Sequence, residues 1–316
     1  MRLFKTLLMI LTFLLFLLAI NMLFFSYLKP GTSFSPVSIE PPRNITSYNG
    51  SLQFYPNMLF NHKIITYTIE NTCEKAKYNN MIQAFSILEN ETSGLIKFQP
   101  ASREPDIFVT CNQSVQELES KQKSSYFIAG EGGAERAVST GEFWVIEKGK
   151  ILLYYPRTKE CLTYHVELHE LLHVFGFKHS DNRYSMMYPV SECNQVLSDD
   201  IIREILRLYN LPELADIYIT NVSAVKHGIY IDFDIEIKNQ GIENARNITL
   251  ILSSRNKAID TFELKDINYG EGKIMNVENV RIPITMLNLD EITFSASSES
   301  EEMSTDNNNI TLSIQS

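Results

Sequence analysis

Three of the chain's six histidines fall in one short run, His169-Glu170-Leu171-Leu172-His173-Val174-Phe175-Gly176-Phe177-Lys178-His179. Helical positions four apart share a face, which puts the His169 and His173 Cβ atoms about 6 Å apart. That separation suits two nitrogen ligands on one tetrahedral Zn2+ ion. Gly176 lets the backbone leave the helix through a turn with positive φ, and such a turn can swing His179 back as a third ligand. Three protein ligands leave one coordination position open, as catalytic rather than structural zinc requires. Glu170 is placed to act on water at the metal rather than on the metal. Leu168, Leu171, Leu172 and Phe175 follow the i, i+3, i+4, i+7 spacing of a buried stripe, and the histidines lie off it. His165, one turn before His169, is expected to be exposed or to support the ligands without being one.

Downstream, Ser185-Met186-Met187-Tyr188-Pro189 reads as a tight methionine-containing turn. The histidine run followed by this turn resembles the metzincin zinc peptidases. Ser180 directly after His179, the triplet Met187-Tyr188-Pro189, and the helical stretch from Leu197 through Tyr209 are most similar to the matrixins within that clan. The resemblance implies Met187, rather than Met186, as an apolar floor under the zinc. It implies no tyrosine ligand, because Pro189 occupies the position where astacin-like members carry one. Matrixins also build part of a specificity pocket from Pro-x-Tyr after the turn. Here the run is Pro189-Val190-Ser191, so their substrate preferences do not transfer.

The elements that position this chemistry begin with a compartment. Thr6 to Leu28 is a run without charge, with Arg2 and Lys5 before it and Lys29 after it. As a helix of about 34 Å it is long enough to cross a bilayer. It is longer than a usual signal-peptide core and lacks a small-residue cleavage site. Residues 1–28 are therefore expected to be an uncleaved signal anchor with the remainder outside the cell. Secretion after cleavage is the alternative. Sequons beginning at Asn44, Asn90, Asn112, Asn221, Asn247 and Asn309 agree with an exterior, glycosylated protein. So do Cys73, Cys111, Cys161 and Cys193, which allow three disulfide connectivities. Cys73–Cys111 with Cys161–Cys193 is the preferred set, and none of the four shows the C-x-x-C spacing of a zinc site. A net charge of −10 argues against nucleic acid as a partner.

Residues 29–50, with four prolines among serines and asparagines, read as an extended stalk. No cysteine precedes Cys73, so the cysteine-based latency of matrixins is not expected. Residues 51–212 form the expected catalytic domain. Ile64–Ile69 alternates as a strand, and 76–88 has helical periodicity with Met81, Ala84, Phe85 and Leu88 on one side. Further strands are expected at 95–98 and 106–110, and a hairpin at 143–155 with its turn at Glu147-Lys148-Gly149-Lys150. Gly130-Glu131-Gly132-Gly133-Ala134 resembles the glycine-rich metal loop of matrixins without its Asp and His ligands. No second zinc is expected there, and Glu131 is a candidate for a structural calcium ion. The stretch 134–138 is a candidate edge strand for holding substrate through main-chain bonds, in competition with the 143–155 hairpin.

Residues 213–316 contain short alternating runs at 230–237, 248–252 and 292–295 separated by turn signals, which suggest a β-sandwich. The course from Asn239-Gln240-Gly241 to Asp306 resembles CARDB-type Ig-like domains. The acidic residues Glu299, Glu301, Glu302 and Asp306 read as a solvated loop. The expected fold is thus α+β: a metzincin-type zincin domain of a twisted mixed sheet with the zinc helix and a C-terminal helix. An all-β Ig-like sandwich follows it, and one transmembrane helix precedes it. The expected function is an extracytoplasmic zinc endopeptidase cutting protein or peptide with zinc-activated water and Glu170 as general base. Two rivals stand beside it: a surface adhesion protein working through the sandwich, whose partner is unspecified, and a zinc hydrolase of cell-wall peptide amides.

Overall fold

The structure, a computed structural model, describes residues 9, 12–18, 31–39, 51–112, 129–155, 163–286 and 288–314. After strand β1 (Gly31–Ser38), an α/β unit runs through β2 (Met58–Leu59), β3 (Ile64–Ile69), helix α1 (Lys75–Glu91), β4 (Lys97–Pro100) and β5 (Ile107–Asn112). It continues through β6 (Gly130–Ser139), β7 (Trp144–Tyr154), α2 (His165–Val174) and α3 (Asp199–Tyr209). Its sheet has the order β2-β7-β5-β3-β4, with these neighbours parallel. Strand β6 lies antiparallel on β7. The predicted stripe of α1, Met81, Ala84, Phe85 and Leu88, is buried. Phe85 stacks on Phe98 of β4 at 4.6 Å, and Phe98 meets Phe175 at the end of α2 edge-on at 6.2 Å. Each such ring or aliphatic group removed from water stabilises the unit by about 1.5–3 kcal/mol. Cys73, just ahead of α1, is disulfide-bonded to Cys111 of β5. Cys193 is also disulfide-bonded, whereas Cys161 lies outside the described residues.

The hairpin expected at 143–155 is instead one continuous strand, β7, paired with β6 on one side and β5 on the other. Gly149 does not make a turn. A Cβ there would lie 2.3 Å from Val174 Cγ1, so glycine lets α2 press onto the sheet. The polar residues around it have partners of their own: Glu147 pairs with Arg136, and Lys148 Nζ donates to the carbonyls of Glu104 and Pro105.

The remaining strands are β8 (Ile217–His227), β9 (Tyr230–Asn239), β10 (Ala245–Ser254), β11 (Lys257–Ile267), β12 (Glu271–Arg281), β13 (Glu291–Ser297) and β14 (Asn309–Ser313). They form two antiparallel sheets, β1-β12-β9-β8 and β11-β10-β13-β14, over one apolar core. Phe233 of β9 reaches across to Phe262 and Phe294 of the facing sheet at 5.5 and 4.9 Å. The stalk reading of 29–50 is therefore corrected for 31–38, which pair along β12 from Gly31↔Glu278 to Ser38↔Glu271. Pro36 is compatible with this because β1 is an edge strand, where a missing N–H costs no ladder bond.

The two units touch. Ile242 of the sandwich is buried in the α/β core, and Asn61 Nδ2 donates to its carbonyl at 3.1 Å. Tyr269 Oη donates to Glu147 Oε1 at 3.0 Å. Gly270 packs so closely that a Cβ would lie 2.4 Å from Val138 Cγ1. Among the described residues, no helix is long and apolar enough to cross a membrane. Most of the expected anchor, 1–28, lies outside the described residues; within it, 12–18 are helical with exposed apolar side chains.

One carboxylate ties the start of the sheet. Asp106 Oδ2 accepts from the Thr66 amide at 2.7 Å and Oγ1 at 2.6 Å, and faces His62 Nε2 at 3.1 Å. Burial alone would raise its pKa, but the bonds from His62 and Thr66 outweigh burial and hold it at about 2. A folded-state pKa below the unfolded value gives stability that is present above about pH 4 and lost as pH falls toward 2. The stability gap between wild type and Asp106→Asn should be about 1–2 kcal/mol near neutrality, allowing for partial contact with solvent, and should close over that acid window. Urea titrations of both proteins across pH 2–6 measure this.

Candidate metal centre

Helix α2 is buried along most of its length, with Leu168, Leu171, Leu172 and Val174 packed into the core, which fixes the directions of His169 and His173. The Nδ1 of His169 donates to the Met186 carbonyl at 2.7 Å, and the Nδ1 of His173 donates to the Phe177 carbonyl at 2.7 Å. Carbonyls only accept, so in the neutral rings both protons sit on Nδ1 and both Nε2 atoms are bare. Gly176, at φ +82°, turns the chain after α2, and a Cβ there would strike Met58 Sδ at 2.5 Å. The turn returns His179 to the site. The three Nε2 atoms then form a triangle with edges of 3.0, 3.1 and 3.2 Å.

Burial lowers the pKa of all three histidines, with His169 brought down to about 4, so the rings are neutral at pH 7. The bare Nε2 atoms of His169 and His173 repel at this distance unless a hydrogen or a cation lies between them, and the His179 Nε2 completes the triangle. Tetrahedral zinc with bonds of about 2.0–2.1 Å needs nitrogen separations of about 3.3 Å, so the triangle fits it after a small spreading. Among the described residues this is the one group of three or more histidine, cysteine or acidic side chains able to hold a metal. Glu131, the calcium candidate, instead accepts from Tyr154 Oη at 2.7 Å.

Glu170 is buried beside the ligands, against β6. Gly130 and Gly132 serve this contact: a Cβ on Gly130 would lie 2.7 Å from Glu170 Cγ, and one on Gly132 would lie 2.2 Å from the Glu170 carbonyl oxygen. The segment that resembles a metal loop is thus an edge strand that must be bare to approach α2. Burial pushes the Glu170 carboxyl up to about 8; Glu131 and Glu167 add to this, while the Gly132 amide and Lys77 oppose it. A dication on the neighbouring imidazoles would also favour the ionised form.

Met186 and Met187 are both buried, in a turn closed by the Tyr188 amide on the Ser185 carbonyl at 3.0 Å. The Met187 carbonyl accepts from the Ser180 amide at 2.8 Å, tying the turn to the residue after His179. His165 is buried rather than exposed, stacked on Tyr164 at 4.9 Å and bonded to Thr163, outside the triangle.

Residues 59–210 match the matrixin family model. The matched span takes in the three histidines, Glu170 and the methionine turn, and it ends before the sandwich. It supports a matrixin-like zinc metallopeptidase domain acting on protein or peptide. Among curated proteins, none matches the chain.

Some residues that build the matrixin-like site gave no signal in the sequence. Gln53 is 2% exposed, and its Nε2 donates to the carbonyls of Met58 at 2.7 Å and Phe175 at 2.9 Å. Its Oε1 accepts from the Met58 amide at 3.0 Å. On either side of it, the Phe54 amide donates to the Gly176 carbonyl at 2.7 Å and the Lys178 amide to the Leu52 carbonyl at 3.0 Å. Residues 52–54 thus clamp the turn that delivers His179. Gln53→Ala should cost about 2–3 kcal/mol, because three buried backbone groups lose their partner. It should also weaken zinc retention; urea titration and competition with a zinc chelator measure the two effects.

Proposed function

We propose that this chain is a zinc-dependent endopeptidase that works outside the cell, anchored by its N-terminal apolar run. The observation that carries the reading is the triangle of three histidine Nε2 atoms, two of them bare, beside a buried carboxylate. His169, His173 and His179 would hold the metal, with Met187 beneath them. A zinc ion there supplies Lewis acidity, polarising a carbonyl and making water acidic enough to be deprotonated near neutral pH. Glu170, held by α2 and the Gly132 amide, takes the proton from the attacking water and returns it to the leaving amine. The bare edge of β6 offers backbone groups against which an extended peptide can lie.

The charge-free stretch from Thr6 to Leu28 and the exposed apolar helix at 12–18 support the anchor. The sequon asparagines 90, 112, 221, 247 and 309 are exposed, as glycosylation outside the cell requires. An Ig-like role for the sandwich as a spacer or docking module belongs to the same reading. The test is the full-length chain in detergent, loaded with zinc and incubated with a diverse peptide library read by mass spectrometry. Internal cleavage that stops on zinc chelation is the expected result. Intact peptides with folded, zinc-loaded protein would remove the endopeptidase reading.

A further inference from the structure

We propose that Phe54 is a wall of the substrate cleft and selects large apolar side chains; the inference rests on the peptidase reading above. The ring of Phe54 lies 6.0 Å from the His173 ring, tilted by 30°, while 55% of the residue is exposed. In the same segment Gln53, Met58, Leu59 and Phe60 are buried, and Leu52, Tyr55, Pro56 and Asn57 are half-buried.

Single exposed phenylalanines are ordinary on protein surfaces. Two features set this one apart. Its backbone cannot drift, because the 52–54 segment is bonded to the 176–178 turn on both flanks and pinned by the Gln53 side chain. The Cα–Cβ bond from which the ring projects is therefore held at a fixed place. That place is next to a histidine whose Nε2 belongs to the metal triangle. A peptide brought to the metal must pass close to the ring, and covering it takes apolar surface out of water on both partners. Aromatic and branched aliphatic side chains gain most from this contact, and alanine or glycine gains little. Phe54 precedes the span 59–210 that matches the matrixin model, so the feature belongs to this chain's own N-terminal flank.

The test compares the full-length, zinc-loaded wild type with Phe54→Ala and Phe54→Tyr in two readouts. The first is binding of short peptide hydroxamates, which chelate a zinc site with open positions whether or not the site cleaves peptides. Members of the series differ only in carrying phenylalanine, leucine or alanine. Wild type should prefer the phenylalanine compound to the alanine compound by about 10-fold, the scale of one good hydrophobic contact. Phe54→Ala should erase that preference with zinc content unchanged, and Phe54→Tyr should keep it. No preference in wild type, or an equal preference in Phe54→Ala, would overturn the proposal. The second readout is the cleavage profile on the peptide library. Phe54→Ala should raise KM for substrates with a large apolar residue at one position and leave kcat nearly unchanged. Absence of cleavage with hydroxamate discrimination intact would count against the peptidase reading and leave the assignment of Phe54 standing.

Discussion

Glu170→Gln should bind one zinc ion as wild type does and lose about 10^2- to 10^4-fold in kcat, the range for removing a general base. Glutamine keeps the size of the side chain and an oxygen that accepts from the Gly132 amide, so the contact with β6 survives. It cannot take up a proton from water. The carboxylate is well suited to that work: it is nearly dry, one residue from a ligand, and held by a strand whose glycines exist to let it in. Metal analysis of the purified variant, together with initial rates on a cleaved library peptide, separates the possible roles. Zinc at one equivalent with lost turnover assigns the proton transfer to Glu170. Proteolysis within a few-fold of wild type would take it out of the chemistry, and loss of zinc would make it a structural support of the ligands.

Lys77→Met should destabilise the fold by about 3–5 kcal/mol. Glu167 lies on α2, is fully buried, and faces Lys77 Nζ of α1 at 3.0 Å. Among the described residues neither of its carboxylate oxygens has a hydrogen-bond partner of good geometry, so the lysine charge is what compensates its burial. Methionine would leave a carboxylate in an apolar contact between the two helices. The double variant Lys77→Met, Glu167→Leu should recover most of the loss, because removing both charges also removes both desolvation costs. Urea midpoints of wild type, Lys77→Met, Glu167→Leu and the double variant give the coupling directly. A single-variant loss below about 1 kcal/mol would mean that water reaches Glu167. Glu167 also lies one helical turn before Glu170, so a disturbed pair should lower turnover as well as stability.

The clustering of the three histidines was legible because its geometry is local. A helix rise and one glycine turn place three nitrogens, and all of that is contained between His169 and His179. The stripe of α1 and the alternation of Ile64–Ile69 were legible for the same reason. What failed was non-local. Gly149 has the type of a turn residue but answers to Val174 on a helix that comes later in the chain. The strand partner of Gly31 is Glu278, and no periodicity within 31–38 announces it. The carbonyls of Met186 and Phe177 that orient the histidines carry no residue-type signal, since every residue has one. Gln53 looks like any polar residue until the turn it clamps is folded. Glu167 is one of two glutamates in α2, and nothing in the sequence joins it to Lys77 on another helix.

The pairing of β1 with β12 bears on how this protein can be cut and produced. The α/β unit is an insertion within the sandwich: the chain lays one strand, leaves to build the candidate metal site, and returns for the other seven. A recombinant product starting at residue 51, the natural choice if 31–38 were only a tether, would leave β12 with a bare edge eight residues long. Such edges recruit strands from other molecules and seed aggregation. The same geometry makes the protein a natural split pair, in which a synthetic 31–38 peptide supplied separately should cap that edge and restore solubility.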